Sequence, residues 1–250
     1  MPDLLTWQWL LLLFCAFLSG VAKTGVPGLG IVVVPLMLMV VPQSSNLAMG
    51  ALLPLLCAAD CCAVATYRRT ARWSEIARLS PWVAIGAVGG CVAMLLIADG
   101  PLTKVIGAIV LAMIALHLWR RWRGSDEARA RPLLAMVLGV VAGFATTVAN
   151  AAGPAINLYL LSMALPKSEF MGTGAWFFFV INLAKVPLFV YLGGRITGAT
   201  LLLDAIAVPA VVIGALCGRS LFARIPQRLF EIVVLVVATI ATVAMMVSHW

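Results

Sequence analysis

The chain has 250 residues, 64% of them hydrophobic and only 10% charged, with a formal net charge of +8. Those proportions exclude an ordinary soluble domain, and apolar runs of about twenty residues recurring from end to end predict a polytopic all-α membrane protein. The basic residues stand in short loops between apolar runs, where the positive-inside rule accounts for them, so nucleic acid is not expected as a partner and the lipid bilayer is.

Met1 to Leu13 is apolar, has no basic residue ahead of it and carries Asp3. It lacks the basic start of a secretory signal and is expected to stay as structure. The apolar run Leu10 to Pro42 contains Ser19-Gly20-Val21-Ala22-Lys23-Thr24-Gly25-Val26-Pro27-Gly28-Leu29-Gly30. Unpaired backbone groups in hydrocarbon cost several kcal/mol each, so a glycine-rich break there predicts a site lined by protein or water. A lysine at that depth costs about 2.5–3.5 kcal/mol, which makes Lys23 a functional candidate. As one helix the run would measure about 50 Å against a hydrocarbon core of about 30 Å. Two half-helices folded into a re-entrant hairpin, each reaching partway, fit better.

Asn46 to Tyr67 is the next predicted span, with Pro54 and the acid Asp60 inside it, followed by Arg68, Arg69, Arg72 and Arg78. Leu79 to Ala98 carries Gly86, Gly89 and Gly90, Asp99-Gly100-Pro101 forms a turn, and Leu102 to Trp122 is a further span. The linker 120–131 sets five arginines against Asp126 and Glu127. Leu133 to Asn150 then runs into Ala151-Ala152-Gly153-Pro154, Ala155 to Leu165 continues to Pro166, and three spans follow: Phe170 to Leu192, Thr200 to Phe222 and Pro226 to Val247.

The second half repeats the first. Gly20 matches Gly143, Pro42 matches Pro166, Gly50-Ala51 matches Gly174-Ala175, Ile85-Gly86-Ala87 matches Ile213-Gly214-Ala215, and Pro101 matches Pro226, all at separations of 123 to 128 residues. Two homologous repeats are expected in a single transmembrane domain, about 9–122 and about 133–248, each a broken helix followed by three transmembrane helices. If both broken segments turn back, nearly all the arginines fall on one side, leaving Arg195 and Lys104 opposite. The positive-inside rule therefore predicts inverted repeats with both termini outside.

Two repeats, each opening with a glycine-rich broken helix that continues into a proline-ended apolar run, resemble the sulfite exporter TauE/SafE family. The residues that carry the resemblance are 19–30 with Pro35 and Pro42, and Gly143 with Asn150-Ala151-Ala152-Gly153-Pro154. Pro27 and Leu29 interrupt the first glycine cluster, and the second is alanine-rich. The resemblance implies a multi-pass protein of the cell (inner) membrane that exports sulfite, sulfonates or related small sulfur anions, driven by an ion gradient.

Pro27 and Pro154 suit the first position of a helix, where a missing N–H costs nothing. Helices starting there would aim free N–H groups and a positive dipole end at an anion. The expected substrate-binding residues are Lys23, Thr24, Gly25 and Gly28 at the first break, Thr147, Asn150 and Gly153 at the second, and Asn182 with Lys185 on the sixth apolar segment. Asp60 and Lys185, 125 residues apart, are expected to approach each other as a structural or coupling ion pair, with a proton or sodium ion as the coupling partner. A homo-oligomer fits the sequence as well as a monomer does.

The rival reading is a membrane-embedded copper transporter or assembly scaffold, motivated by Cys57, Cys61 and Cys62 with eleven methionines. Only His117 and His249 are present, both near predicted helix ends, so neither a metal nor another cofactor is expected. No nucleotide-binding loop or other enzyme signature occurs.

Overall fold

The computed structural model describes residues 4–27, 29–41, 45–96, 132–191 and 196–226, with single positions 229, 232 and 236. The expected span Leu102 to Trp122, the basic linker, Arg195 and nearly all of the last span lie outside the described residues. Eight α-helices occupy the rest: α1 (Thr6–Thr24), α2 (Gly30–Val40), α3 (Ser45–Tyr67), α4 (Trp73–Leu96), α5 (Pro132–Ala149), α6 (Gly153–Ser162), α7 (Lys167–Tyr191) and α8 (Gly198–Arg224). Five of them, α1, α3, α4, α7 and α8, are long and apolar enough to cross a membrane.

Small residues set the main helix contacts. Gly20 on α1 lies against Val211, Gly214 and Ala215 of α8, so close that a Cβ there would overlap the Val211 carbonyl. Gly143 on α5 meets Val83 and Ala87 of α4 in the same way, and Gly86 returns the contact to Val140. Glycine is required at such positions because it lets two backbones touch. The order of contacts also gives direction. Phe17 meets Gly214 and Thr24 meets Gly218, so α1 and α8 run the same way. Leu79 meets Gly139 and Thr147 meets Gly90, so α4 and α5 do too. By contrast α3 and α7 are antiparallel, with Thr70 bonded to Ser168 at one end and Asp60 to Asn182 further along.

These directions define two ends of the bundle. The α3–α4 junction with Arg68 and Arg72, the start of α5, the start of α7 and the end of α8 gather at one, which we term the arginine end. Lys167 Nζ there donates to the carbonyls of Phe222 and Ile225, and Arg72 pairs with Glu169. The hydrogen bond and charge of Glu169 hold the Arg72 guanidinium above its ordinary range. The starts of α1, α3 and α8 lie at the far end.

Both breaks turn the chain back. Gly30, opening α2, packs beside Ala22 of α1, and Gln8 Nε2 at the start of α1 donates to the Val40 carbonyl at the end of α2 over 3.1 Å. Correspondingly, Tyr159 on α6 donates its hydroxyl to Glu75 in the first turn of α4, the level at which α5 begins. The α1–α2 hairpin opens toward the far end and the α5–α6 hairpin toward the arginine end.

The hairpin arms are unequal, which corrects the expectation of two half-helices. α1 has 19 residues and α5 has 18, or about 28 Å, while α2 and α6 have 11 and 10, or about 16 Å. The reason lies in Gln8. The sequence places a polar residue before Leu10, but Gln8 is buried with its amide bonded at both ends, to Leu5 N–H and the Val40 carbonyl, so the helix starts earlier. In the same way α4 begins at Trp73, six residues before the predicted Leu79, because its first turn packs Ile76 and engages Glu75 with Arg78.

Candidate functional site

The tips of the two hairpins pass one another inside the bundle. Tyr67, the last residue of α3, donates its hydroxyl to the Thr24 carbonyl at 2.6 Å, which brings the first tip within a tyrosine's reach of the arginine end. Asn150 Nδ2 donates to the Met49 carbonyl at 3.2 Å, which carries the second tip toward the far end. Between them lies a cleft whose empty space, open mouth included, comes to about 720 Å³.

One face of α7 forms a wall of this cleft through Phe170, Met171, Gly174, Ala175, Phe178 and Asn182. That row spans about 18 Å at 1.5 Å per residue and leads toward the arginine end. Lys23, Gly30, Asn150, Gly153 and Asn157 close in from the hairpins. Gly30 and Gly153 are the first helical residues of α2 and α6, so both helices start at the cleft. The N–H groups of a first turn have no acceptor within their own helix and carry a positive partial charge.

Lys23 Nζ lies 2.7 Å from Asp60 Oδ1 and 4.0 Å above the ring centre of Phe178. Asp60 is wholly buried, and its Oδ2 accepts from Asn182 Nδ2 at 2.6 Å. Lys185, only 4% exposed, donates to the Thr146 carbonyl (3.1 Å), the Thr146 hydroxyl (2.9 Å) and Asn150 Oδ1 (2.6 Å). All three of its acceptors are neutral. Asn150 has a positive φ of 51°, a conformation that asparagine tolerates better than most side chains. Its amide orientation is fixed by its partners, because the oxygen must face the ammonium and the nitrogen the carbonyl.

Several expected site residues are placed elsewhere. Asp60 does not pair with Lys185; its ion-pair partner is Lys23, because the first hairpin reaches down to the level of Asp60. Thr24 is buried against α8, its hydroxyl donating to the carbonyls of Gly20 and Ala215. Gly25 packs against the Gly218 backbone, and Thr147 bonds back to the Gly143 carbonyl while touching Gly90. None of these three lines the cleft, since each faces a helix contact instead. Gly28 lies outside the described residues. Lys23, Asn150, Gly153 and Asn182 do line it, and Lys185 stands behind its wall.

Sequence reasoning passed over Asn157 and Asp204. Asn157 was a polar residue in a run read as apolar. Asp204 is buried inside α8, and the rule that singled out Asp60, an acid within an apolar span, would have found it. Among the described residues no three His, Cys, Asp or Glu side chains come together, and no cysteine is in a disulfide.

The family profile described as Sulfite exporter TauE/SafE matches residues 12–245. The chain belongs to that family. No curated protein and no solved structure matches it. As a TauE/SafE protein with five long apolar helices among its described residues, it is a multi-pass membrane protein of a transporter family.

Proposed function

We propose that this TauE/SafE chain is a secondary transporter of the cell (inner) membrane that exports a small sulfur-containing anion. Sulfite and a short organosulfonate such as sulfoacetate are the cargo class, moved by alternating access and coupled to an ion gradient. Family membership supports the sulfur anion. The observation that carries the anion site is the charge around the cleft: two lysines, Lys23 and Lys185, against the single carboxylate of Asp60. A buried ammonium bonded only to neutral groups is stabilised by an arriving anion. The first turns of α2 and α6 add N–H groups suited to sulfonate or sulfite oxygens.

The architecture that suits this reading is an inverted duplication. Support comes from the hairpins opening toward opposite ends, and from Gly20 against Val211 and Ala215 recurring as Gly143 against Val83 and Ala87. With the arginine end in the cytoplasm, the cleft leads inward. Asn150 bridges Lys185 of α7 and Met49 of α3 on the outward side of it. Release of that bridge, with closure of the α7 wall, is the conformational change we assign to export.

Counterflow in proteoliposomes tests the reading. Sulfite or sulfoacetate should exchange while sulfate and acetate do not, and exchange should fall at least tenfold in Lys185→Ala. Absence of exchange of any sulfur anion by folded protein would overturn it, and dependence on Cys57 and Cys61 instead would favour a metal role.

A further inference from the structure

The buried Nζ of Lys185 has three partners: the Thr146 carbonyl at 3.1 Å, Asn150 Oδ1 at 2.6 Å and the Thr146 hydroxyl at 2.9 Å. The first two can only accept. The hydroxyl can accept from an ammonium or, turned about its C–O bond, donate to the lone pair of a neutral amine. Among the described residues that hydroxyl has no other partner, so Nζ can hold or lose a proton with all three bonds kept.

A buried ammonium without a counterion is costly, and the elements around α7 supply none. Lys23 of α1 and Asp60 of α3 pair with each other. The other titratable groups of those helices are Tyr67, bonded to Thr24, and the thiols of Cys15, Cys57, Cys61 and Cys62, which ordinarily keep their protons near neutral pH. On α4, Glu75 engages Arg78 and the Tyr159 hydroxyl of α6, and Cys91 is a further thiol. α5, which holds Thr146, has no titratable side chain. On α7 itself Glu169 pairs with Arg72, Lys167 is bonded to the end of α8, and Tyr191 is exposed. No carboxylate among the described residues is within ion-pair distance of Lys185. The Phe189 ring, its centre 5.7 Å from Nζ, is a weak substitute. An anion in the cleft changes the balance, and the linkage is reciprocal: where the ammonium draws the anion, the anion draws the proton.

We propose that Lys185 carries a proton across the membrane together with each anion, an amine when the site is empty and an ammonium when it is loaded. The inference rests on the transporter reading above. Thr146 and Asn150 line the cleft, so the path of the anion is also the path of the proton. With the cleft open to the arginine end, an anion oxygen takes the place of Asn150 Oδ1 at Nζ, and the amine gains a proton from the water on that side. With the cleft open to the far end, the anion leaves. The ammonium, again without a counterion, then gives its proton to the water there, and Asn150 returns. One proton crosses with each anion, in the same direction. A monoanion then moves without net charge. Sulfoacetate, with sulfonate and carboxylate both ionised at neutral pH, carries one net negative charge outward, which an interior-negative membrane potential favours.

Proteoliposomes with a trapped pH dye and a clamped voltage test this with sulfoacetate. Net uptake by wild type down an imposed anion gradient should acidify the lumen by about one proton per anion, while exchange at equal concentrations moves none. Lys185→Arg keeps the positive charge but cannot shed its proton. It should exchange sulfoacetate at least about tenfold faster than Lys185→Ala, with proton-linked net uptake lost, because only the neutral empty site returns readily. Folding of both variants is checked by size-exclusion profile and unfolding temperature. Wild-type net uptake without acidification overturns the proposal. Protons that still follow the anion in Lys185→Arg overturn it too, as does exchange by folded Lys185→Arg no faster than by Lys185→Ala. Asp204→Asn removes the other buried acid and should keep the wild-type ratio of protons to anions; loss of that ratio would move the proton to Asp204 and away from Lys185. Failure of wild type to exchange either sulfite or sulfoacetate is a separate result that removes the transporter reading and the proton with it.

Discussion

Lys23 Nζ stands 2.7 Å from Asp60 Oδ1, on a carboxylate with no exposure of its own. The pair joins the tip of the first hairpin to α3. Breaking a buried pair from one side leaves an uncompensated charge and costs about 3–5 kcal/mol. Lys23→Ala should therefore destabilise strongly, and adding Asp60→Asn should recover much of the loss by removing the orphaned charge. Thermal unfolding in detergent of the wild type, both single variants and the double variant measures the coupling. Additive shifts would show that the two residues do not compensate each other.

Asn150 supplies both a side chain and an unusual backbone, and the two separate cleanly. Asn150→Gly removes the bonds to Lys185 and Met49 but permits a positive φ, whereas Asn150→Ala also strains the backbone by about 1–2 kcal/mol. Both variants should weaken anion exchange, and the alanine variant should unfold at lower temperature than the glycine one. Equal unfolding temperatures would contradict the left-handed backbone.

Gly86 and Gly89 lie one turn apart on α4 with opposite expectations. A Cβ at Gly86 collides with the Val140 backbone, while one at Gly89 reaches only ordinary contact with Phe144. Gly86→Ala should cost about 1–3 kcal/mol through overpacking. Gly89→Ala should be neutral or gain about 0.5–1 kcal/mol, because alanine is the better helix former. Unfolding temperatures decide, and a tolerated Gly86→Ala would mean that α4 and α5 are not in backbone contact.

Topology is open to chemical labelling in a cysteine-free background. Gly198, exposed at the start of α8, and Arg69, exposed at the α3–α4 junction, lie at opposite ends of the bundle. An impermeant maleimide should reach Gly198→Cys on intact cells and Arg69→Cys only after the membrane is opened. Labelling of both from one side would remove the inverted arrangement.

The class of fold was legible because apolar runs of membrane length and arginine-rich loops are local signals. The break at residues 24–30 was legible too, since glycine and proline mark it without any tertiary context. Which side chain meets which was not. Thr24 and Thr147 read as anion ligands because a hydroxyl near a break looks free, yet both are committed to helix contacts made by residues far along the chain. The partner of Asp60 was misplaced for a related reason. Sequence symmetry matched Asp60 with Lys185, but the depth to which α1 penetrates depends on Gln8 being satisfied by Val40, a tertiary fact. Asp204 was missed through attention to equivalent positions, since the residue matched to it in the first half is the apolar Ile76.

The contact between Thr24 and Ala215 joins residues 191 positions apart. At 5–20 residues per second, ribosomes need about 10–40 s to make that much chain. Throughout that time the first hairpin has entered the membrane without the helix that fills its glycine face. The nascent protein therefore passes through a long interval in which α1 is exposed to lipid, to the insertion machinery or to a neighbouring chain. Variants that weaken this contact should show their first effect on yield and on clearance by membrane quality control, before any effect on the finished protein.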